Sequence, residues 1–164
     1  MKRVLIVLAA LAAAGCSSVH SAAQLAEDNK ATAMKFVERM NKHDLSVIDE
    51  MFDPAYVEHE LMPGIPPTRD GMKQIFGMWI KAFPDVKITV THMVAEGDLV
   101  LIHHLTTGTN KGDFMGMPAT GKAVKFDEMH LVRFANGKVV EHWGIEEAMK
   151  MMEQLGLMAE PVKK

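Results

Sequence analysis

Hydrophobic positions in this chain repeat first with a helical period, then with a strand period, and finally with a helical period again. Ser21 and Gln24 have capping-box spacing, and Leu25, Ala33, Phe36, Val37 and Met40 recur at helical intervals, which predicts a first helix running to about Asn41. Asp44 can cap a short second helix that runs to Phe52 and is ended by Asp53-Pro54. Residues 55–61 read as a brief strand and residues 62–67, with three prolines, as loop. Residues 69–83 carry Met72, Ile75, Phe76, Trp79 and Ile80 on one face of a third helix, which Pro84 stops. Short β-rich runs then follow at 86–95, 99–109, 123–134 and 138–145. They are separated by Glu96-Gly-Asp98, a longer Gly-containing loop, and the hairpin signal Asn136-Gly137. Residues 146–155 return to helix, with Gly156 as C-cap and Glu146 opening the helix, where its charge suits the N-terminus. Helices followed by an antiparallel meander predict an α+β domain over residues 24–158, with a curved sheet wrapped against the helices and a tail at 159–164.

Composition adds a statement about the N-terminus. Apolar residues make up 48% of the 164, and 12 of the first 15 residues are apolar. Lys2 and Arg3, the apolar run 4–14 and the small residues before Cys16 form a signal peptide over residues 1–15, too short to span a bilayer. Cys16 is the single cysteine, so no internal disulfide is available. The run Leu11-Ala-Ala-Ala-Gly15-Cys16 resembles the lipobox of bacterial lipoproteins, although Ala13 stands where leucine is usual. The resemblance implies acylation of Cys16, a lipidated tether over residues 16–23, and a place in the cell envelope, at the outer membrane facing the periplasm in a Gram-negative cell. Without the lipid, the same signal leaves the protein periplasmic or secreted. The formal charge of −3 becomes −5 once Lys2 and Arg3 are removed, and no basic cluster remains, so nucleic acid is not an expected partner.

The strand at 123–134 carries the candidate chemistry. Alternation puts Val124, Phe126, Glu128, His130, Val132 and Phe134 on one face, so two ionisable groups sit among apolar neighbours where a cavity would lie. Such groups must bond each other, water or a ligand, and they suit proton transfer. Glu58 and His59 are adjacent on a strand, so only one can point inward, and the same holds for His103 and His104. Eight histidines raise the question of a metal, but no His-x-His or His-x₃-His pair is joined by a well-placed acid, and none is expected. Met115 and Met117, in the loop at 112–118, can line an adaptable entrance. No Gly-x-Ser-x-Gly or phosphate-binding glycine loop occurs.

Several short motifs occur together in one order: Tyr56-Val-Glu-His59, Phe83-Pro-Asp85, Glu96-Gly-Asp98, Gly112-Asp-Phe-Met-Gly-Met-Pro118, Thr120-Gly121, Glu128-Met-His130, Asn136-Gly-Lys138, Glu141-His-Trp143 and Gln154-Leu-Gly156. The ordered set resembles SnoaL-like polyketide and ester cyclases of the nuclear transport factor two-like superfamily, over about residues 26–157. The resemblance implies a cone-shaped α+β barrel: a strongly curved, mainly antiparallel sheet packed on three to four helices around one apolar pocket. It implies no cofactor, a small hydrophobic carbonyl or ester compound as ligand, and a homodimer through the open sheet face. It marks Glu128 and His130 as catalytic candidates and Tyr56, Glu58, His59, His104, Met117 and Trp143 as ligand-binding candidates. Two departures stand out. Glu128 replaces a glutamine typical of the family, and Gly144 stands where polyketide cyclases carry the aspartate that moves the proton in aldol closure. The alternative to an enzyme is a membrane-anchored module that holds a ligand without turnover, or that serves for dimerisation.

Overall fold

Ser21 starts the first helix as its spacing predicts. Its Oγ accepts a hydrogen bond from Gln24 N at 3.1 Å, and α1 spans Ala22–Met40. Only this half of a capping box forms, because the Gln24 amide donates to Asp28 instead. Ala22 and Ala23 are therefore helix. These residues belong to a computed structural model that describes residues 21–158. The expectations for the signal peptide, for Cys16 and for the 159–164 tail lie outside the described residues.

The remaining elements are α2 (Ser46–Met51), β1 (Phe52–Glu58), α3 (Arg69–Ala82), β2 (Lys87–Glu96), β3 (Leu99–Thr109), β4 (Ala123–Ala135), β5 (Lys138–Glu146) and α4 (Ala148–Leu155). Strand β1 starts three residues earlier than predicted and runs through Pro54. It pairs on one side only, with β5, and irregularly between Phe52 and Val57. A residue without an N–H is tolerated at such an edge. Thr68 caps α3 by accepting from Gly71 N at 3.3 Å. Asn136 and Gly137 both take positive φ, as a two-residue hairpin of the primed type requires.

The sheet order is β1-β5-β4-β3-β2, antiparallel except for β1 with β5. Strands β1 and β2 are free edges, so the sheet is curved but open, not a closed barrel. Helix α1 packs on β2 and β3, α3 on β1, and α4 on β4. Two apolar clusters result. One joins Met40, Ile48, Phe52, Val100, Val132 and Phe134; the other joins Phe83, Phe114, Phe126, Met151 and Leu155.

One irregularity decides what faces the helices. Phe134 pairs with Val139 but Arg133 with Glu141, which leaves Val140 as an extra residue. A bulge of this kind reverses the parity of everything beyond it. It turns His142, Gly144 and Glu146 toward the interior and sends Glu141, Trp143 and Ile145 outward. Glu146 is consequently the last residue of β5 and does not open α4.

Candidate functional site

A cavity of about 340 Å³ lies between the inner sheet face and helices α1 and α3. That is the lower end of the range for small-molecule sites. Its walls are largely apolar: Phe36, Val37 and Met40 from α1, and Met72, Ile75, Phe76, Trp79 and Ile80 from α3. These are the residues whose helical spacing predicted a buried face, and part of that face now borders a cavity. Leu61 and Met115 also line it and are well exposed, which places the mouth at the loop after β1 and the loop before β4.

One wall is polar. Glu128 and His130 from β4, His104 and Thr106 from β3, His142 and Glu146 from β5, and Glu58 and Glu60 from β1 and its exit all line the cavity. Three imidazoles come from three adjacent strands: His104 and His130 stack at 4.8 Å between ring centroids, and His130 and His142 lie at 4.9 Å. His142 Nδ1 donates to both oxygens of Glu58 at 2.8 Å. Glu58 also accepts from Tyr56 OH at 2.5 Å and from Glu60 N at 2.8 Å. His130 Nε2 donates to Glu128 at 3.3 Å, while its Nδ1 faces His142 Nε2 at 2.8 Å.

Electrostatics separates the carboxyls. Burial works to raise Glu128, but the hydrogen bond from His130, the attraction of His130 and His104 and a hydrogen bond from Thr106 outweigh it, so Glu128 ionises below the usual glutamate range. Glu58 behaves alike: burial is overcome by His142, Tyr56 and the Glu60 amide. Glu146 has no such donors, and burial reinforced by the charges of Glu128 and Glu60 pushes it up to about 7. Burial takes His104 down to about 4, so it is neutral near pH 7. Burial next to Glu58 lifts the Tyr56 hydroxyl well above the ordinary tyrosine range, and Tyr56 stays a donor.

The candidates of the sequence thus divide. Glu58, His104, Glu128 and His130 line the cavity together, and Tyr56 stands behind Glu58 without lining it. Three do not reach it. His59 is exposed and stacks on Trp143 at 4.4 Å with 3° between ring planes, and it pairs with Glu141 at 3.0 Å; Trp143 lies on the outer face because the Val140 bulge reverses β5, and His59, next to the inward-facing Glu58, meets it there. Met117 packs into the Phe83–Phe126 cluster, since Phe114 and Met117 close a tight turn whose tip, Met115, borders the mouth instead. Sequence reasoning missed Glu60, whose loop position carries no periodic signal, and it undervalued His142 and Glu146, whose orientation depends on the bulge. The absence of a local His-acid motif gave no warning that the sheet assembles His130, His142 and Glu60 with one ligand atom from each within 4.8 Å of the others.

Gly144 is part of the same arrangement. A Cβ at this position would overlap the Glu60 carboxylate and lie 2.9 Å from His130 Nδ1. The missing side chain is what lets Glu60 reach the two imidazoles.

Comparison with known proteins agrees with this architecture. Nogalonic acid methyl ester cyclase of Streptomyces nogalater is 24% identical over 120 residues, covering 72% of this chain and 86% of the cyclase. The solved structure of AclR from Streptomyces galilaeus, a candidate hydroxylase, superposes with a TM-score of 0.72 at 30% identity, covering 82% of this chain and 99% of AclR. IdmH from Streptomyces antibioticus, a candidate polyketide cyclase, gives 0.68 at 32% identity, covering 78% and 98%. The family model of the SnoaL-like polyketide cyclases matches residues 31–155, from the middle of α1 to the end of α4, and the chain belongs to that family.

Proposed function

We propose that this protein is a SnoaL-like enzyme that moves protons on a small hydrophobic carbonyl or ester compound, in the manner of a cyclase or isomerase. The observation that carries the reading is the pairing of Glu128 with Glu146 across β4 and β5, at the polar wall of a largely apolar cavity. Two carboxyls held in unlike environments can divide acid and base roles between them. Glu128, ionised and tied to His130, removes a proton from the carbon next to a substrate carbonyl. Glu146, whose carboxyl is raised to about 7 and so still holds a proton in a large share of molecules near neutral pH, donates to the carbonyl oxygen as negative charge develops there. His104, neutral and buried, orients the enol oxygen. The relatives support the substrate class, since one of them is named as a methyl ester cyclase. In this reading the protein works in the cell envelope, held there by acylated Cys16.

Native mass spectrometry of the protein extracted from its own membranes tests both parts: an acyl mass on the chain and a retained apolar ligand are expected. Glu128→Gln should then lower turnover of that ligand, or of a methyl ester carrying an acidic α-proton, by about 10²–10⁴-fold while binding persists. Ligand retention with no turnover by the wild type would reduce the protein to a binding module. A soluble, unacylated product would refute the anchor.

A further inference from the structure

His130 and His142 meet nitrogen to nitrogen, Nδ1 to Nε2, at 2.8 Å. His142 Nδ1 faces the Glu58 carboxylate at 2.8 Å and must carry its hydrogen there, which leaves a lone pair on Nε2. His130 Nε2 faces the Glu128 carboxylate at 3.3 Å and carries its hydrogen there, which leaves a lone pair on Nδ1. These two lone-pair nitrogens point at each other across 2.8 Å. With both far nitrogens donating to carboxylates, the two facing nitrogens have room for one cation between them, either a shared proton or a metal ion, and the donor that converges on them separates the two. The Glu60 carboxylate sits at the same gap, admitted by the absence of a side chain on Gly144.

We infer that His130 Nδ1, His142 Nε2 and Glu60 form a site for a divalent transition cation of the Zn²⁺ class, with a fourth position open to the cavity. The donor set supports this. Two imidazoles and one carboxylate with a vacant position form a known catalytic zinc arrangement, and each imidazole carries a carboxylate on its far nitrogen, which fixes the tautomer and strengthens the ligand. The geometry needs little change: Zn–N bonds of about 2.0–2.1 Å at a tetrahedral angle set two nitrogens about 3.3 Å apart, roughly half an ångström beyond the present separation. The surrounding charge also favours a cation, because Glu58, Glu128 and Glu146 border the same wall. The alternative triad of His104, Glu128 and His130 is weaker, since His104 Nδ1 already contacts Thr106 at 3.3 Å and lies 3.9 Å from Glu128. A metal here would face the cavity and polarise a substrate carbonyl as a Lewis acid. The site goes beyond the proton-transfer reading and does not depend on it.

The experiment uses the full-length protein, stripped with chelator and titrated with Zn²⁺ against a chromophoric competitor, then with Co²⁺ for its visible spectrum. One equivalent should bind, the Co²⁺ form should show the intense absorption of a four-coordinate ion, and Tm should rise. Glu60→Gln, in a half-buried loop position, should weaken binding at least tenfold without unfolding the chain. His142→Ala should abolish binding, and if it fails to fold, Glu60→Gln alone decides. His92 and His103 form a close histidine pair on the outer face, at 3.2 Å and away from the cavity, so His92→Ala is the control and should change nothing. No stoichiometric binding, or binding that survives Glu60→Gln but falls in His92→Ala, overturns the site. A protein that binds metal but turns over no carbonyl compound keeps the site and loses the enzymatic reading. A protein that turns over substrate with no metal does the reverse.

Discussion

The two faces of strands β4 and β5 carry the same residue types and use them differently. On the outer face, Glu141 pairs with His59 at 3.0 Å and with Arg133 at 3.2 Å, Arg133 reaches Asp98 at 2.9 Å, and Trp143 stacks with His59 and has the Arg133 guanidinium 5.8 Å from its ring centre. Every member is partly open to water, and each ion pair replaces hydration that was already good. On the inner face, Glu58, Glu128, His104 and His142 are almost wholly removed from water, and their hydrogen bonds replace hydration that is gone. The outer network can be lost at small cost, whereas each inner partner holds another buried polar group in place. The chemistry of the site follows from that difference in burial more than from the presence of glutamate and histidine.

The largest expected effect comes from removing one inner partner. Glu58→Ala strips the acceptor from Tyr56 OH, from His142 Nδ1 and from the Glu60 amide at once. Leaving buried partners uncompensated costs about 3–5 kcal/mol, so urea denaturation should show a much lower midpoint. A loss below about 1 kcal/mol would mean that water reaches the pair and that the two faces are not so different.

The second effect is a pH dependence confined to the inner face. Glu146 folds with a carboxyl at about 7 against an ordinary 4.5, for burial and for the charges of Glu128 and Glu60. Between these values the folded protein holds a proton that the unfolded chain has released, so stability falls as pH rises from about 4.5 through 7. Glu146→Gln removes that slope. Measured in chelator, the variant should match the wild type near pH 4 and exceed it by roughly 1–2 kcal/mol at pH 8, a figure discounted for the carboxyl's partial contact with water. Equal pH profiles for the two proteins would place Glu146 in solvent.

Much of the inner face was legible in the sequence. Alternation along β4 puts Glu128 and His130 on the side of Phe126 and Phe134, because a strand without irregularity obeys its period. The limit came at β5. An unbroken hairpin counted from Asn136-Gly137 places Val139, Glu141 and Trp143 inward, and that count makes Trp143 a pocket residue. Val140 breaks it, and nothing about a valine in a strand signals a bulge. His142, Gly144 and Glu146 became interior through one extra residue, and Glu60 reached them from a loop that has no period to read. The first helix was legible down to its cap, since Ser21 acts through a neighbour three residues away, but α2 starts after Leu45 without a side-chain cap and α4 starts after Glu146, and the site depends on contacts across as many as 84 positions.

The smallest effect is the one expected on the outer face. His59→Ala removes the ring stacked on Trp143 and one partner of Glu141, but Glu141 keeps Arg133 and the exposed Trp143 face is rewetted. An exposed pair of this kind is worth about 0.2–1 kcal/mol, so the urea midpoint should move slightly and turnover should not change. His59 and Glu58 are adjacent in sequence and differ only in the side of β1 on which they emerge. If His59→Ala impaired turnover as strongly as Glu128→Gln, the outer stack would have to reach the cavity through β5, and burial would no longer separate the two faces. If it leaves turnover intact while Glu58→Ala unfolds the protein, two neighbouring residues will have shown that one strand step divides solvated surface from the working interior.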